Sequence, residues 1–298
     1  MQVYAGGVEL ADINVYLCNI KQKPGMIFVR DKGQMCNNLL QYGHLYAWGR
    51  ENGRRTCSMR FAYKYRYFHI CHTPWHHFGT YFLAKTAAKL GLLPVINFDA
   101  MDSLEENTIR LSRKRHAVAE GWYARFYDLF IKYLPEIKDL FAFLPAVQSA
   151  VAAQMAGSKG ADTVNIGLHV RRGAYARWHG GRYFFSDAQY IGVVGQIAAL
   201  YPDRRKIVWV CTNDGALDEA AFARTLAAKG IETRFPKGNP GEDLCLLSEC
   251  DVLAGPPSTF SLVAAMYRDT PLYWISDPAA TVTAGSFSRF PILFREIL

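Results

Sequence analysis

Short apolar runs alternate along this chain with longer stretches of helical periodicity, most clearly in its second half. Near the start, Met26-Ile27-Phe28-Val29-Arg30 reads as a short buried strand that meets a turn at Asp31-Lys32-Gly33-Gln34. A helix is expected from about Asn37 to Glu51, with Leu40, Tyr42, Leu45 and Trp48 at spacings that suit one face, stopped by Asn52-Gly53. A second helix spans about Phe78 to Lys89 and ends at Gly91, leading into a buried strand over Pro94–Phe98. Glu120–Leu134 and Ala146–Met155 also read as helical, and Gly157-Ser158-Lys159-Gly160 as a hinge. The expected domain boundary lies there, giving an acceptor-side domain over 1–157 and a nucleotide-binding domain over 158–298.

Beyond the hinge, Thr163–Val170 is a buried strand. Helices over Ala188–Leu200, Ala216–Lys229, Asp243–Ser248 and Thr259–Tyr267 alternate with strands over Lys206–Cys211, Ile231–Phe235, Val252–Ala254 and Leu272–Ile275. Strands alternating with helices of this length imply βαβ units and a parallel sheet, so the fold class is α/β. Ligands of such sheets sit at the carboxyl ends of the strands.

Composition narrows the class. A chain of 298 residues, half of them hydrophobic and 20% charged, suits two compact globular domains and argues against disorder. No apolar stretch approaches the roughly 20 residues of a spanning helix, and the opening Met1-Gln2-Val3-Tyr4-Ala5-Gly6-Gly7 lacks the basic and apolar regions of a secretory signal. Seven scattered cysteines form no disulfide framework and no Cys-x-x-Cys metal pair, which reads as reduced thiols in a cytoplasmic protein. A net charge of +8 points to an anionic partner: a phosphorylated small molecule, an anionic membrane surface or nucleic acid.

Chemistry concentrates in three blocks. Leu168-His169-Val170-Arg171-Arg172-Gly173 ends a buried strand with two adjacent guanidinium groups, which are costly to bury without anionic partners. Guanidinium forks meet phosphate in a bidentate way that lysine does not. Alternation places His169 and Arg171 on one face and Arg172 on the other, so Arg171 is the phosphate candidate, while Arg172 either joins it or holds the loop through an ion pair. The second block is Gly241-Glu242-Asp243-Leu244, at a helix start, together with Pro257-Ser258-Thr259-Phe260-Ser261, whose hydroxyls and free N–H groups open the next helix and can hold an anion. The third, Gly33-Gln34-Met35-Cys36-Asn37-Asn38, is a glycine turn with amides at a helix start, suited to ligand contacts or to plain capping.

In order and spacing these blocks resemble the fucosyltransferase superfamily, which includes bacterial α-1,2-fucosyltransferases, rhizobial α-1,6-fucosyltransferases and protein O-fucosyltransferases. Gly33, Asn37, Gln41 and Tyr42 match its first block; His169, Arg171, Arg172, Gly173 and Tyr175 its central one; Glu242, Asp243, Leu244, Ser258, Phe260 and Ser261 its last. The resemblance implies a GT-B-like enzyme of two Rossmann-like domains with GDP-fucose in the inter-domain cleft, and no metal or other cofactor. It implies that Arg171 holds the β-phosphate and stabilises departing GDP, that Asp243 accepts from guanine, and that His169 lies near the ribose and phosphates. Thr259 and Ser261 would add phosphate contacts, Asn37 would close from the other domain beside the Gly33 turn, and Thr212 would line the cleft. Inversion at the sugar is likewise implied. The absence of an Asp-x-Asp triplet fits metal independence.

The chain also departs from the pattern. Ala174 stands where the family has aspartate, and Asn37-Asn38 replaces Asn-Gln. His179, nearer than Asp187, is then the candidate general base, so that Arg171 and His179 make up the catalytic pair. The alternative to a fucosyltransferase is a non-catalytic relative that binds a GDP-sugar or glycan. The acceptor is expected to be a glycan hydroxyl, with a surface polysaccharide or a lipid-linked oligosaccharide as the natural carrier. Arg54, Arg55, Arg60, Lys64 and Arg66, interleaved with Tyr63, Tyr65 and Tyr67, could face its phosphates, an anionic membrane or a nucleic acid, the last being the least favoured. His72 and His76 are four apart, but Pro74 between them prevents the regular helix that would put them on one face for a metal.

Overall fold

The computed structural model describes residues 25–297, so the reading of Met1–Gly7 lies outside the described residues. Nine strands form two wholly parallel sheets among them. The first holds β1 (Met26–Arg30), β2 (Arg55–Ser58), β3 (Val95–Asn97) and β4 (Ala117–Glu120) in the order β2-β1-β4-β3. The second holds β5 (Thr163–Val170), β6 (Arg205–Thr212), β7 (Ile231–Arg234), β8 (Val252–Gly255) and β9 (Leu272–Trp274) in the order β7-β6-β5-β8-β9. Residues 157–160 fall between the two sheets. The helices of the first half are α1 (Met35–Glu51), α2 (Phe78–Lys89), α3 (Leu104–Ser112), α4 (Tyr127–Lys132), α5 (Leu134–Leu140) and α6 (Pro145–Gln154). Those of the second are α7 (Asp187–Ala199), α8 (Glu219–Ala227), α9 (Pro240–Ser248), α10 (Thr259–Arg268) and α11 (Phe290–Glu296).

All eight residues of β5 are buried, as expected of a central parallel strand covered on both faces. From β5 the chain winds through β6 and β7 to one side, then crosses to β8 and β9 on the other. The connections leaving β5 and β8 therefore diverge and open a crevice at their carboxyl ends. The first sheet presents the carboxyl ends of β1 and β4 toward the same crevice. The two halves share one apolar core, and α11 returns to seat Phe294 on Phe130 (ring centroids 4.5 Å) and to stack it on His44.

One expected helix is corrected. Glu120–Leu134 is the end of β4, a turn, and the short helices α4 and α5. Gly121 has φ +115°, and a Cβ there would lie 2.4 Å from the Phe98 carbonyl carbon, so the chain must turn away at this point. The alanines of β4 suit a helix in isolation; pairing with β1 and β3 overrides that preference.

Candidate active site

A cavity of about 730 Å³ occupies the crevice. The second half contributes His169 and Arg171 from the end of β5, Thr212 from β6, Asp243 from the first turn of α9, and Ser258 and Thr259 from the start of α10. The first half contributes Gln34 and Asn37 at the start of α1, Tyr65, and Trp122 after β4. Of the residues singled out in the sequence, His169, Arg171, Thr212, Asp243, Thr259 and Asn37 thus converge on one space.

Strand alternation separates the two arginines as expected. Arg172 turns away and is held by Asp187 and by Asp214 (2.9 Å), so it has carboxylate partners and does not line the cavity. Thr212 Oγ1 supports this arrangement by accepting from the Asp214 N–H at 3.0 Å. Arg171 has no carboxylate partner among the described residues; its guanidinium lies over the Tyr175 ring, 5.6 Å from the centroid. Tyr175 is anchored by its hydroxyl, which donates to the Pro257 carbonyl at 2.6 Å. The result is a preset, half-buried cation facing the cavity.

His169 is buried, and its Nδ1 has no hydrogen-bond partner among the described residues. Burial, with Arg171 adding to it, pushes its imidazole down to about 3. A neutral ring suits hydrogen bonding to a ligand and not proton transfer near neutral pH. Its plane leans on Phe260, with centroids 5.0 Å apart. Asp243 behaves in the opposite way: burial, and then Glu242, push its carboxyl up to about 6.

Gly33 does not line the cavity; it shapes the approach. Its φ is +88°, and a Cβ there would lie 2.7 Å from Asn37 Nδ2. Asn37 accepts at Oδ1 from Thr259 Oγ1 at 2.5 Å, closing the cavity across the two halves. Ser261 lies in the first turn of α10, buried, with its hydroxyl donating to the Ser258 carbonyl at 3.2 Å, and does not line the cavity. Ser258 Oγ accepts from the Phe260 N–H, so it caps α10 while also lining the cavity. His179 is exposed and lines a neighbouring cavity. Its φ is +46°, in the left-handed region with Gly180 and Gly181.

The basic tyrosine-rich segment is partly consumed by the fold. Arg54 donates to the carbonyls of Ser112, Lys114 and Arg115, and Arg60 donates to the Asp31 carbonyl and the Tyr63 hydroxyl. His76 is buried; its Nε2 accepts from the Ser58 N–H and its Nδ1 meets Thr73 Oγ1 at 2.7 Å, so both ring nitrogens serve the fold. Sequence reasoning missed Trp122, which faces the cavity and carries the Arg125 guanidinium 3.7 Å from its ring centroid. It also missed the outer face of α2, where Phe78 and Phe82 are more than half exposed, as are Leu83, Leu90 and Leu92 around them. No helix among the described residues is long and apolar enough to cross a membrane.

No family model matches the chain. Mouse (Mus musculus) galactoside 2-alpha-L-fucosyltransferase Sec1 is 27% identical over 264 residues, covering 82% of this chain and 64% of that protein. The chain thus spans just under two thirds of the length of the curated relative it matches. Among solved structures, an Arabidopsis thaliana FUT1 mutant in complex with GDP matches with a TM-score of 0.58 at 12% identity, over 95% of this chain and 78% of that one. Fucosyltransferase NodZ from Bradyrhizobium matches at 0.54 and 12%, over 87% and 98%. The NodZ α-1,6-fucosyltransferase soaked with GDP-fucose matches at 0.52 and 11%, over 90% and 99%. The chain resembles the fucosyltransferase superfamily in sequence and fold, and its two doubly wound sheets have the GT-B arrangement.

Proposed function

We propose that the protein is an inverting, metal-independent glycosyltransferase that moves fucose from GDP-fucose to a glycan hydroxyl. The observation that carries this reading is the division of labour at the end of β5: Arg172 is neutralised by two carboxylates, whereas Arg171 faces the cavity with none among the described residues. In the transfer, the acceptor oxygen attacks the anomeric carbon of fucose and the bond from that carbon to the β-phosphate oxygen breaks. The electron pair leaves with GDP, and His179 is the proposed acceptor of the hydroxyl proton. Charge develops on the leaving phosphate, where a preset guanidinium stabilises the transition state more than the ground state. That role is the one a divalent ion would otherwise fill. Asp243 faces the same cavity as Arg171 and supports guanine recognition, because an ionised carboxylate can accept from two ring-edge N–H groups.

Calorimetric titration of GDP, with UDP and ADP as controls, tests the donor in EDTA on wild type and Arg171→Ala. Selective GDP binding lost in the variant is expected; equal affinity for the three nucleotides, or an unaffected variant, refutes the assignment. GDP-fucose turnover in EDTA then separates an enzyme from a binding relative in which Ala174 has cost the activity.

A lipid-linked acceptor and peripheral contact with an anionic membrane belong to the same reading. No carboxylate occurs between Glu51 and Asp99, and α2 in that stretch presents Phe78 and Phe82 beside Lys85 and Lys89. Apolar rings beside cations suit an anionic interface. Sedimentation with phosphatidylglycerol vesicles, lost on Phe78→Ser/Phe82→Ser, checks it; equal sedimentation of the variant refutes it. The six described cysteines are buried thiols, which supports a cytoplasmic setting.

A further inference from the structure

Tyr65 has φ +57°. Among the described residues only His179 and Asp269 share a positive φ without being glycine. For a bulky ring this left-handed conformation is an outlier that the surroundings must hold in place. They do so at three points. The Tyr65 carbonyl accepts from the Tyr67 N–H at 2.6 Å and from Cys71 Sγ at 3.3 Å. The Tyr67 carbonyl accepts from the Leu144 N–H at 2.9 Å. The Tyr67 ring fills the space beside Gly241, where a Cβ would lie 2.3 Å from Tyr67 Cγ. Gly241 stands in the first turn of α9, two positions before Asp243. The loop that carries Tyr65 belongs to the first half, so this contact fastens it to the helix of the second half that bears Asp243. With the backbone so held, Tyr65 lines the same cavity as Asp243. Strain of this kind collects where a side chain must meet a ligand.

A carboxylate in the wall meets a purine at its edge, and the faces of the base are left to be covered. Aromatic rings cover them, since every base has a π face. Several rings line the cavity, but most already serve a neighbour. Tyr175 lies beneath the Arg171 guanidinium and Trp122 beneath that of Arg125. Trp178 stacks on Tyr175 and Tyr183, and Phe260 leans on His169. Tyr65 meets Phe61 at 5.8 Å and 54°, not face to face, and Lys64 Nζ stands 6.0 Å from its centroid, at the outer limit of a cation–π contact. Its loop is seated on the turn that bears Asp243.

We infer that Tyr65 is the stacking platform for the purine of the nucleotide donor, which lies with its edge on Asp243 and one face on the phenol ring. The inference rests on the donor reading above and adds to it a specificity residue from the opposite half. Asp243 sorts guanine from adenine at the edge, whereas Tyr65 favours a purine over the smaller face of a pyrimidine. Ring and carboxylate come from different halves, so the base bridges the crevice as it binds.

Calorimetric titration of GDP, and of inosine diphosphate, which lacks the exocyclic amine of guanine, tests this on wild type and three variants. Loss of a base–aromatic stack weakens binding roughly 5- to 150-fold, and Tyr65→Ala should lose both nucleotides by one factor in that range. The ratio of the two affinities, set at the base edge, should not change. Tyr65→Phe keeps the face and should bind GDP within about twofold of wild type. Tyr65→Trp adds an indole to the six of the chain, and GDP should quench its emission beyond the change seen in wild type. That signal is a gain, so it decides the matter even where Tyr65→Ala fails to fold. Tyr65→Ala with wild-type affinity overturns the inference, as does Tyr65→Phe as weak as Tyr65→Ala, or an unquenched indole in Tyr65→Trp that binds GDP. A collapsed ratio of GDP to inosine diphosphate in Tyr65→Ala moves the residue to the base edge and overturns it too. Wild type that binds no GDP removes the donor reading itself, whereas wild-type binding with indifferent variants removes Tyr65 alone.

Discussion

Thr259 Oγ1 donates a 2.5 Å hydrogen bond to Asn37 Oδ1 across the cavity, although the two residues stand 222 positions apart in the chain. Each opens a helix, α10 after β8 and α1 after β1, so the bond joins two helix starts from opposite halves of the molecule. Helix starts carry free N–H groups and the positive end of the helix dipole. The contact therefore assembles an anion-favouring corner from two sheets that do not pair with each other.

That clasp has a measurable consequence. A net hydrogen bond of about 0.5–1.5 kcal/mol corresponds to roughly twofold to tenfold in an equilibrium constant. Asn37→Ala and Thr259→Val are each expected to weaken GDP binding by that factor. The double variant should lose little more than the worse single one, because both remove the same bond. Calorimetry on the four proteins measures the coupling; strictly additive losses would show that the clasp does not serve the ligand.

Arg171 and Arg172 are adjacent but should fail in different assays. Arg171→Ala is expected to lower kcat about 100- to 1000-fold, the usual cost of removing one preset donor from a developing anion, and to leave the melting temperature within a degree. Arg172→Ala strands Asp187 and Asp214, whose shared cation is largely buried. Losing one partner of a buried ion pair costs several kcal/mol, and Asp187 is 40% exposed, which reduces the figure here to about 2 kcal/mol. Urea unfolding of both variants beside kinetics separates the roles.

With Asp243 as the proposed guanine contact, donor binding is expected to depend on pH. Its carboxyl is pushed up to about 6 by burial and then by Glu242, and guanine N–H groups need it ionised. Affinity should therefore be full above pH 7 and fall as pH drops through 6, reaching about tenfold weaker at pH 5. The second phosphate ionisation of GDP also titrates in this range, so the diagnostic quantity is the difference between wild type and Asp243→Asn. The variant should bind weakly throughout, keep only the phosphate dependence, and no longer prefer GDP to ADP.

Several of these relationships could be read in advance because burial writes itself into sequence. The apolar run of β5 announced a covered strand, and alternation along it placed His169 and Arg171 on one face. What alternation could not supply was the partner of Arg172, since Asp187 and Asp214 lie 15 and 42 residues downstream and meet it only through the fold. The strand β4 was hidden for a related reason: Ala117-Val118-Ala119-Glu120 carries helix-tolerant residues, and only pairing with β1 and β3 makes it a strand. Missing that strand meant missing Trp122, which reaches the cavity because the turn at its carboxyl end does. The outer face of α2 had no legible signal, because an apolar helical stripe looks the same whether protein or solvent lies beyond it.

A last prediction concerns stability and not ligand. Asp31, at the end of β1, is 1% exposed; its Oδ2 accepts from Ser58 Oγ at 2.6 Å, and its Oδ1 has no partner among the described residues. Burial pushes its carboxyl up to about 7 from an ordinary 3.8, with the Ser58 hydroxyl opposing. The unfolded chain therefore releases this proton earlier than the folded one. Between those two values stability falls as pH rises, and above about 7 the contribution is flat. From pH 6 to pH 8 a single such group removes about 1.4 kcal/mol. Asp31→Asn, which cannot ionise, should abolish that part of the slope, whatever constant offset the amide introduces by leaving its own N–H groups short of acceptors. Urea unfolding of both proteins at pH 6 and pH 8 measures the difference between slopes. Parallel profiles would mean that Asp31 is charged in the folded state and that Ser58 and the neighbouring Arg60 compensate its burial.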